Sequence, residues 1–141
     1  MVRVPALLAF SLLVASASAA PWRVKARATR VERASNAFRA GFERQIADYG
    51  WGKLREGADA KARVRRLDEA LERLRRAADD RRPLKGRDEM VAVLARARNV
   101  DLVFRRHPEI AGVSRPRWAR LRTEISGLAR VFDLRPLASR F

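Results

Sequence analysis

The sequence contains no cysteine and only one histidine, His107, in 141 residues. Without cysteine the chain forms no disulfide and carries no lipid-attached N-terminal cysteine, so its stability must come from packing. A zinc site needs three or four ligands among which histidine or cysteine is prominent, and a di-iron carboxylate bundle needs two Glu-x-x-His pairs. The composition therefore predicts no metal and no cofactor. His107, beside Pro108, is interpreted as a cation at a helix end.

Catalytic motifs are also missing. The chain has no P-loop and no glycine-rich dinucleotide turn, and its serines lie in no strand-turn-helix elbow. Two pairs of carboxylates stand close in sequence, Asp68 with Glu72 and Asp79 with Asp80, but both sit among arginines on surface that we expect to be solvated. A glycosidase needs its two carboxyl groups to face each other across a cleft. We therefore predict a protein that is not an enzyme, with no catalytic, cofactor-binding or metal residues.

Only one long apolar run is present, and it lies at the N-terminus. Arg3 carries a positive charge, residues 4–14 are mostly apolar, and residues 15–20 are small. This three-part layout is typical of a secretory signal peptide, and small residues at Ala17 and Ala19 favour cleavage after Ala19. The run is too short for a membrane anchor, since a spanning helix needs about 20 apolar residues. Residues 1–19 are thus predicted to be a signal peptide, and the protein to be exported to the periplasm or beyond the cell.

Acidic residues are few beside basic ones. The chain has 16 Asp and Glu against 32 Lys and Arg, which gives a formal charge of +16. Cleavage of the predicted signal peptide would remove one of these basic residues, Arg3. Lysine is itself scarce, which a GC-rich genome explains through codon usage, but codon usage does not explain the excess over carboxylates. A polyanion or an anionic membrane surface therefore remains open as a partner, which the sequence does not identify.

The sequence is rich in apolar residues at helical spacing. Steps of three and four residues predict four amphipathic helices, at about residues 23–48, 58–79, 87–106 and 115–132. The apolar stripes are Val24, Ala28, Val31, Ser35, Phe38, Phe42, Ile46 and Tyr49 in the first; Val64, Leu67, Leu71, Leu74 and Ala78 in the second; Met90, Val93, Leu94, Ala97, Val100 and Phe104 in the third; and Trp118, Leu121, Ile125, Leu128 and Phe132 in the fourth.

Turn signals set the predicted ends of these helices. Gly50 and Gly52 end the first, and Pro83 and Gly86 interrupt the chain before the third. Ser114 is predicted to cap the fourth helix, with Pro116 in its first turn. On the second helix Glu69 with Arg73, and Glu72 with Arg76, have the spacing of favourable ion pairs. On the fourth helix the solvated side is assigned to Arg117, Arg120, Arg122, Glu124 and Arg130.

Together these segments predict an all-α fold. Four helices of about twenty residues with short connections, and no pattern of period two, are typical of an antiparallel up-down four-helix bundle. Residues 20–141 are predicted to form this single domain, because about 120 residues suffice for one core.

From about Leu67 onward the chain resembles a family of short exported, arginine-rich, all-helical bacterial proteins whose function is unknown. The matching residues are Val100, Asp101, Phe104, Arg105, Arg106, Trp118, Leu121, Arg122, Glu124, Ile125, Leu128, Ala129 and Phe132. The resemblance implies bundled helices and no activity, and it transfers no functional residue.

Asp101 is the polar residue that lies closest to a predicted core stripe, at the edge of the third. A carboxylate there needs a donor to offset its desolvation, and the candidates are Arg98, Arg105 and the indole of Trp118. Its role is interpreted as fixing helix register, with contact to a ligand as the alternative.

Three functions fit these patterns. The first is a non-enzymatic helical interaction or structural protein of the cell envelope. The second is an electrostatic binder of lipid headgroups, acidic polysaccharide or nucleic acid; the dispersed basic charge favours a nonspecific partner over one read by sequence. The third is a periplasmic chaperone-like protein, which would need an exposed apolar face.

Overall fold

The computed structural model describes residues 21–79 and 83–139, and its regular structure is helical throughout that part. The four helices are α1 (Pro21–Asp48), α2 (Arg55–Asp79), α3 (Pro83–Arg106) and α4 (Ala111–Val131). Short 3₁₀ turns, Trp51–Lys53 and Pro108–Ile110, join α1 to α2 and α3 to α4. The predicted all-α class is therefore confirmed. None of these helices is long and apolar enough to span a bilayer. The predicted signal peptide lies outside the described residues.

All four helices begin two to four residues earlier than the sequence pattern predicted, and in α3 and α4 the error involves proline. α3 begins at Pro83, because proline at the first helical position needs no N–H donor there. Gly86 lies inside α3 and is buried. A Cβ at this position would lie 3.1 Å from the ring of Phe132, which is closer than ordinary contact. α4 begins at Ala111, directly after a 3₁₀ turn, so Pro116 lies inside the helix and not in its first turn.

Ser114 is correspondingly not a helix cap. It is fully buried, and both its N–H (3.2 Å) and its hydroxyl donate to Oε1 of Gln45 on α1. Burial removes both donors of Ser114 and the acceptor oxygen of Gln45 from water, so these groups must bond to each other. Ser114 therefore joins α4 to α1 instead of capping the N-terminus of α4.

The core forms where the apolar stripes of all four helices meet. The stripe of α3 is buried throughout, and Trp118, Leu121, Ile125 and Leu128 of α4 are each no more than 1% exposed. At the centre, Phe38 and Phe42 of α1 pack with Phe104 and Trp118, with ring centroids 5.1–6.3 Å apart. Aromatic side chains bury large areas, so this cluster contributes strongly to stability.

The ends of two stripes were predicted incorrectly. Tyr49 is 62% exposed because α1 ends at Asp48 and the chain turns at Gly50, where φ is +68°. On α2 the last buried position is Ala77 and not Ala78. Trp51 follows the turn and packs, partly buried, against the core.

Small residues bring helices together in pairs. α2 packs most extensively against α3, and α1 against α4. The side of α2 that is buried includes Gly57, Ala60, Ala70 and Ala77. In the α1 and α4 pair the close positions are Gly41 and Gly127, both buried. This pairing leaves a surface between α1 and α4 that the linear sequence did not show.

The residues after α4 also cover the core. Asp133 has φ of +54°, and the N–H of Leu134 donates to the carbonyl of Ala129, which closes the end of the helix. Leu137 is buried, and Leu134 packs against the core cluster. The residues after α4 are therefore part of the packed domain.

Candidate anion-binding groove

A groove between α1 and α4 is lined mainly by arginine. We call it the α1–α4 groove; it encloses about 590 Å³, and its lining residues are Arg30, Arg33, Ala34, Ala37, Arg117, Arg120 and Glu124. All four arginines are exposed, and they face a single carboxylate. The groove thus carries a formal charge of +3 on seven residues.

The α1 side of the groove follows from the spacing of arginines along one helix. At 3.6 residues per turn, Arg23, Arg30, Arg33 and Arg44 fall within about 80° of one another around α1. Glu32 and Glu43 project from the other exposed side. The residues between these arginines on the same face are small: Ala26, Ala37 and Ala40.

The α4 side is positioned by a reciprocal contact between glycine and arginine. The side chain of Arg117 on α4 lies over Gly41 of α1, and the guanidinium of Arg27 on α1 lies over Gly127 of α4. A Cβ at either glycine would collide with the arginine above it. Each glycine therefore allows an arginine of the facing helix to lie across the seam between the two helices.

Within the described residues, the four groove arginines are not neutralised by ion pairs. In the cleft between α1 and α2, by contrast, Arg39 donates to Asp68 at 2.7 Å, and Arg75 donates to Glu72 at 2.9 Å. Unpaired, exposed guanidinium groups are free to bind an anion, whereas paired ones must first lose their carboxylate.

The pKa of Glu72 shows how strongly its paired arginines stabilise the charged carboxylate. Hydrogen bonds from Arg75, and secondarily from Arg76, lower the pKa of Glu72 from 4.5 to about 2. The predicted ion pair of Glu72 with Arg76 is present at 3.1 Å, whereas Arg73 donates to Glu89 of α3 (3.3 Å) instead of pairing with Glu69. Asp68 and Glu72 both line the cleft between α1 and α2, and each is bound by an arginine. Asp80 lies outside the described residues.

Asp101 is buried, 3% exposed, and has two donors on α4. The indole Nε1 of Trp118 donates to Oδ1 at 2.8 Å, and the guanidinium of Arg122 lies 2.8 Å from Oδ1 through Nε and 3.1 Å from Oδ2 through Nη2. The Trp118 contact was among those predicted, whereas Arg98 and Arg105 are exposed.

Arg122 was assigned wrongly to the solvated side of α4. It is only 6% exposed, and besides Asp101 it donates to the backbone carbonyl of Ala138 at 2.7 Å. The sequence signal for this role was its position one helical turn after Trp118, which brings both side chains to the same face. The network is buried, and it joins α3, α4 and the C-terminal segment.

His107 directly follows α3, at the helix end where it was predicted. It lies on a cleft of about 430 Å³ whose charged residues also include Arg55, Glu56, Asp59, Arg63 and Arg106. Its Nδ1 is 3.2 Å from Oε1 of Glu109, and its ring meets the edge of Trp51 with centroids 4.7 Å apart. In the described residues no group of three or more His, Cys, Asp or Glu side chains could hold a metal ion.

Sequence reasoning missed the groove as a unit. It named Arg117 and Arg120 only as part of a solvated face, and it treated the basic charge as dispersed. The signal on α1 was present, since Arg30 and Arg33 share a face without carboxylates. The proximity of α4 depends on which helices are neighbours, and periodicity does not contain that information.

Comparison with protein-family models, curated proteins and solved structures gave no match to this chain.

Proposed function

We propose that this protein is a non-enzymatic, exported helical protein that binds an anionic partner along the α1–α4 groove. The observation that carries the proposal is the group of four exposed arginines that face one carboxylate without ion pairs. Guanidinium groups bind phosphate, sulfate and carboxylate through two parallel hydrogen bonds, and they are more weakly hydrated than ammonium groups. A surface of this kind suits recognition of charge. The proposal assigns no reaction to the protein.

The proposal also includes the architecture that presents the groove, an antiparallel up-down four-helix bundle. Contacts between opposite ends of neighbouring helices support it. Arg27 near the start of α1 meets Gly127 near the end of α4, and Gln45 near the end of α1 binds Ser114 near the start of α4. Arg73 of α2 binds Glu89 of α3, and Asp101 of α3 binds Trp118 of α4. Export rests on the charged, apolar and small-residue layout of residues 1–20.

The chaperone alternative gains little from the exposed side chains. The large hydrophobic residues that are exposed in the described part are Trp22, Tyr49, Leu54 and Val91. They lie at the start of α1, around the turn before α2 and in α3. Binding of unfolded clients calls for a contiguous apolar patch of several hundred Å².

The groove is tested by removing its charge and comparing the result with an equal loss of charge elsewhere. The groove variant carries Arg30→Gln, Arg33→Gln, Arg117→Gln and Arg120→Gln. The control variant carries Arg66→Gln, Arg87→Gln, Arg98→Gln and Arg105→Gln, which are exposed arginines of α2 and α3. Both lose four positive charges, so a difference between them reports the location of the charge and not its amount.

We expect the groove variant to bind anionic vesicles several hundredfold more weakly, because each arginine near such a surface contributes about 1 kcal/mol. For duplex DNA, the slope of log K against log salt should decrease by about 0.9 for each phosphate that the variant no longer neutralises. The control should change both quantities much less. Equal losses in the two variants, with unchanged thermal unfolding, would show that total charge and not the groove drives binding.

A further inference from the structure

Trp22 is the most exposed large hydrophobic residue in the described part of the chain. It lies in the first turn of α1 and is 67% exposed, and the guanidinium of Arg23 lies 5.3 Å from the centroid of its ring. A side chain of this size in water loses the free energy that burial of its apolar area would provide. The exposed indole would therefore be stabilised by an environment other than water in which its apolar area is buried.

Trp22 shares a face of α1 with the groove arginines. At 100° per residue it lies about 20° from Arg33 and about 80° from Arg30 around the helix axis. Along the axis, a rise of 1.5 Å per residue separates it from these arginines by about 12–17 Å. One side of α1 thus presents an indole at its N-terminal end, followed by arginines separated by alanines.

We infer that the anionic partner is the headgroup surface of a lipid bilayer that contains anionic phospholipid, with the Trp22 indole seated at the membrane interface. This inference rests on the proposed function of the α1–α4 groove. Tryptophan favours the interface because its ring is amphipathic, and arginine beside it binds lipid phosphates while its methylene groups lie along apolar surface. Anionic headgroups attract basic residues over a distance of about a Debye length.

The same face fits a nucleic acid less well. Proteins that bind single strands stack successive bases on several exposed aromatic rings within a basic groove. On the exposed face of α1 the aromatic residue is Trp22 alone, and Arg23 already lies over its ring. The alanines between the arginines offer no stacking surface and no polar group to read a base edge.

The inference is tested with protein produced from the complete gene, so that export and processing yield its natural form, with its N-terminus determined by mass spectrometry. Vesicles of neutral phosphatidylcholine, alone or mixed with phosphatidylglycerol, are prepared with and without bromine on the acyl chains. Bromine quenches tryptophan fluorescence at short range. Trp118 is fully buried and Trp51 half-buried in the domain, so quenching should report Trp22.

We expect quenching by brominated vesicles that contain phosphatidylglycerol, none by neutral ones, and none in Trp22→Phe. Trp22→Ala should weaken vesicle binding about tenfold, since it removes one aromatic anchor, and should leave duplex DNA binding within about twofold. The matched control is Tyr49→Ala, which removes an exposed aromatic residue at the other end of α1 and should leave vesicle binding unchanged.

Several results would overturn the inference. If vesicles bind through the groove arginines but Trp22 is not quenched, the partner is held by charge alone and the membrane assignment is wrong while the groove function stands. If Trp22→Ala weakens DNA binding and not vesicle binding, the partner is a nucleic acid. If the groove variant binds vesicles and DNA as the wild type does, the proposed function fails, whatever Trp22 does.

Discussion

Asp101 lies in the core with its carboxylate bound by Trp118 and Arg122, both on α4. Its environment illustrates how a charged residue is tolerated at a buried position. A lone buried carboxylate is strongly disfavoured, so burial requires donors on more than one side. Here the indole and the guanidinium provide them, and the carbonyl of Ala138 accepts from Arg122 as well. We interpret this network as fixing the register between α3 and α4.

Replacing Asp101 tests this role. Asp101→Ala should lower the free energy of unfolding by about 3–5 kcal/mol, because it leaves the Arg122 charge buried without its partner. Asp101→Asn should cost less, since the amide oxygen still accepts from Trp118. Denaturant titration measures both. As a control, Asp59→Ala removes an exposed carboxylate paired at 2.8 Å with Arg63 and should cost no more than about 1 kcal/mol. Equal effects at 101 and 59 would contradict the register role.

α4 contacts α1, α3 and the C-terminal segment. The side that packs into the aromatic cluster also holds Arg122 under the C-terminal segment, and another side carries Arg117 and Arg120 into the groove. A single helix can do this because residues three and four apart share a face, whereas intervening residues point elsewhere. Loss of its packing would therefore disturb the core and the groove together.

Truncating Leu128 measures how firmly α4 is held. The side chain is 1% exposed and lies near Val31 of α1 and Leu74 of α2 along the wall of a cleft. Leu128→Ala should cost about 2–5 kcal/mol through lost transfer free energy and the cavity that remains. Leu54→Ala, at a residue 51% exposed, is the control and should change stability by about 0.5 kcal/mol or less. An unchanged unfolding midpoint in Leu128→Ala would mean that α4 contributes little to the core.

For the whole molecule, charge has opposite effects on stability and on binding. A net formal charge of +16 attracts anions but repels itself, and carboxylates paired with arginines, such as Asp68 and Glu72, offset part of the positive charge. Acid removes that compensation, because each carboxylate that is protonated leaves its arginine charged. Stability should therefore fall with decreasing pH, in the order set by the pKa values of the carboxylates.

Glu72 should be among the last to lose its effect. Its pKa is lowered from 4.5 to about 2 in the folded protein, so its stabilisation is fully present above pH 4.5 and is lost as the pH falls through about 2. The difference in thermal midpoint between wild type and Glu72→Gln should thus be constant from pH 7 to 5 and shrink between pH 4 and 2. A difference that does not vary with pH would contradict the lowered pKa.

The helical stripes were largely predictable, and their errors have local causes. Periodicity identified Phe38, Phe104 and Trp118 as core residues because burial selects apolar side chains at that spacing. It failed at Ser114 and Pro116, where local signals for a helix start were outweighed by the pairing of Ser114 with Gln45. It failed at Arg122 because an arginine on the edge of a stripe is ordinarily exposed, and here it is buried beside Asp101.

The sequence by itself determined that the chain is helical, which side of each helix is apolar, and that basic charge is in excess, since these follow from side-chain chemistry at 3.6 residues per turn. Tertiary structure alone decided which helices lie side by side. Contact across Gly41 and Gly127 brings the arginines of α1 against those of α4, where they face the single carboxylate of Glu124, whereas contact between α1 and α2 pairs Arg39 with Asp68. Four helices with similar apolar stripes can pack with different helices as neighbours. The location of the candidate site therefore depends on small residues at the helix seam, whose effect appears only when two helices meet.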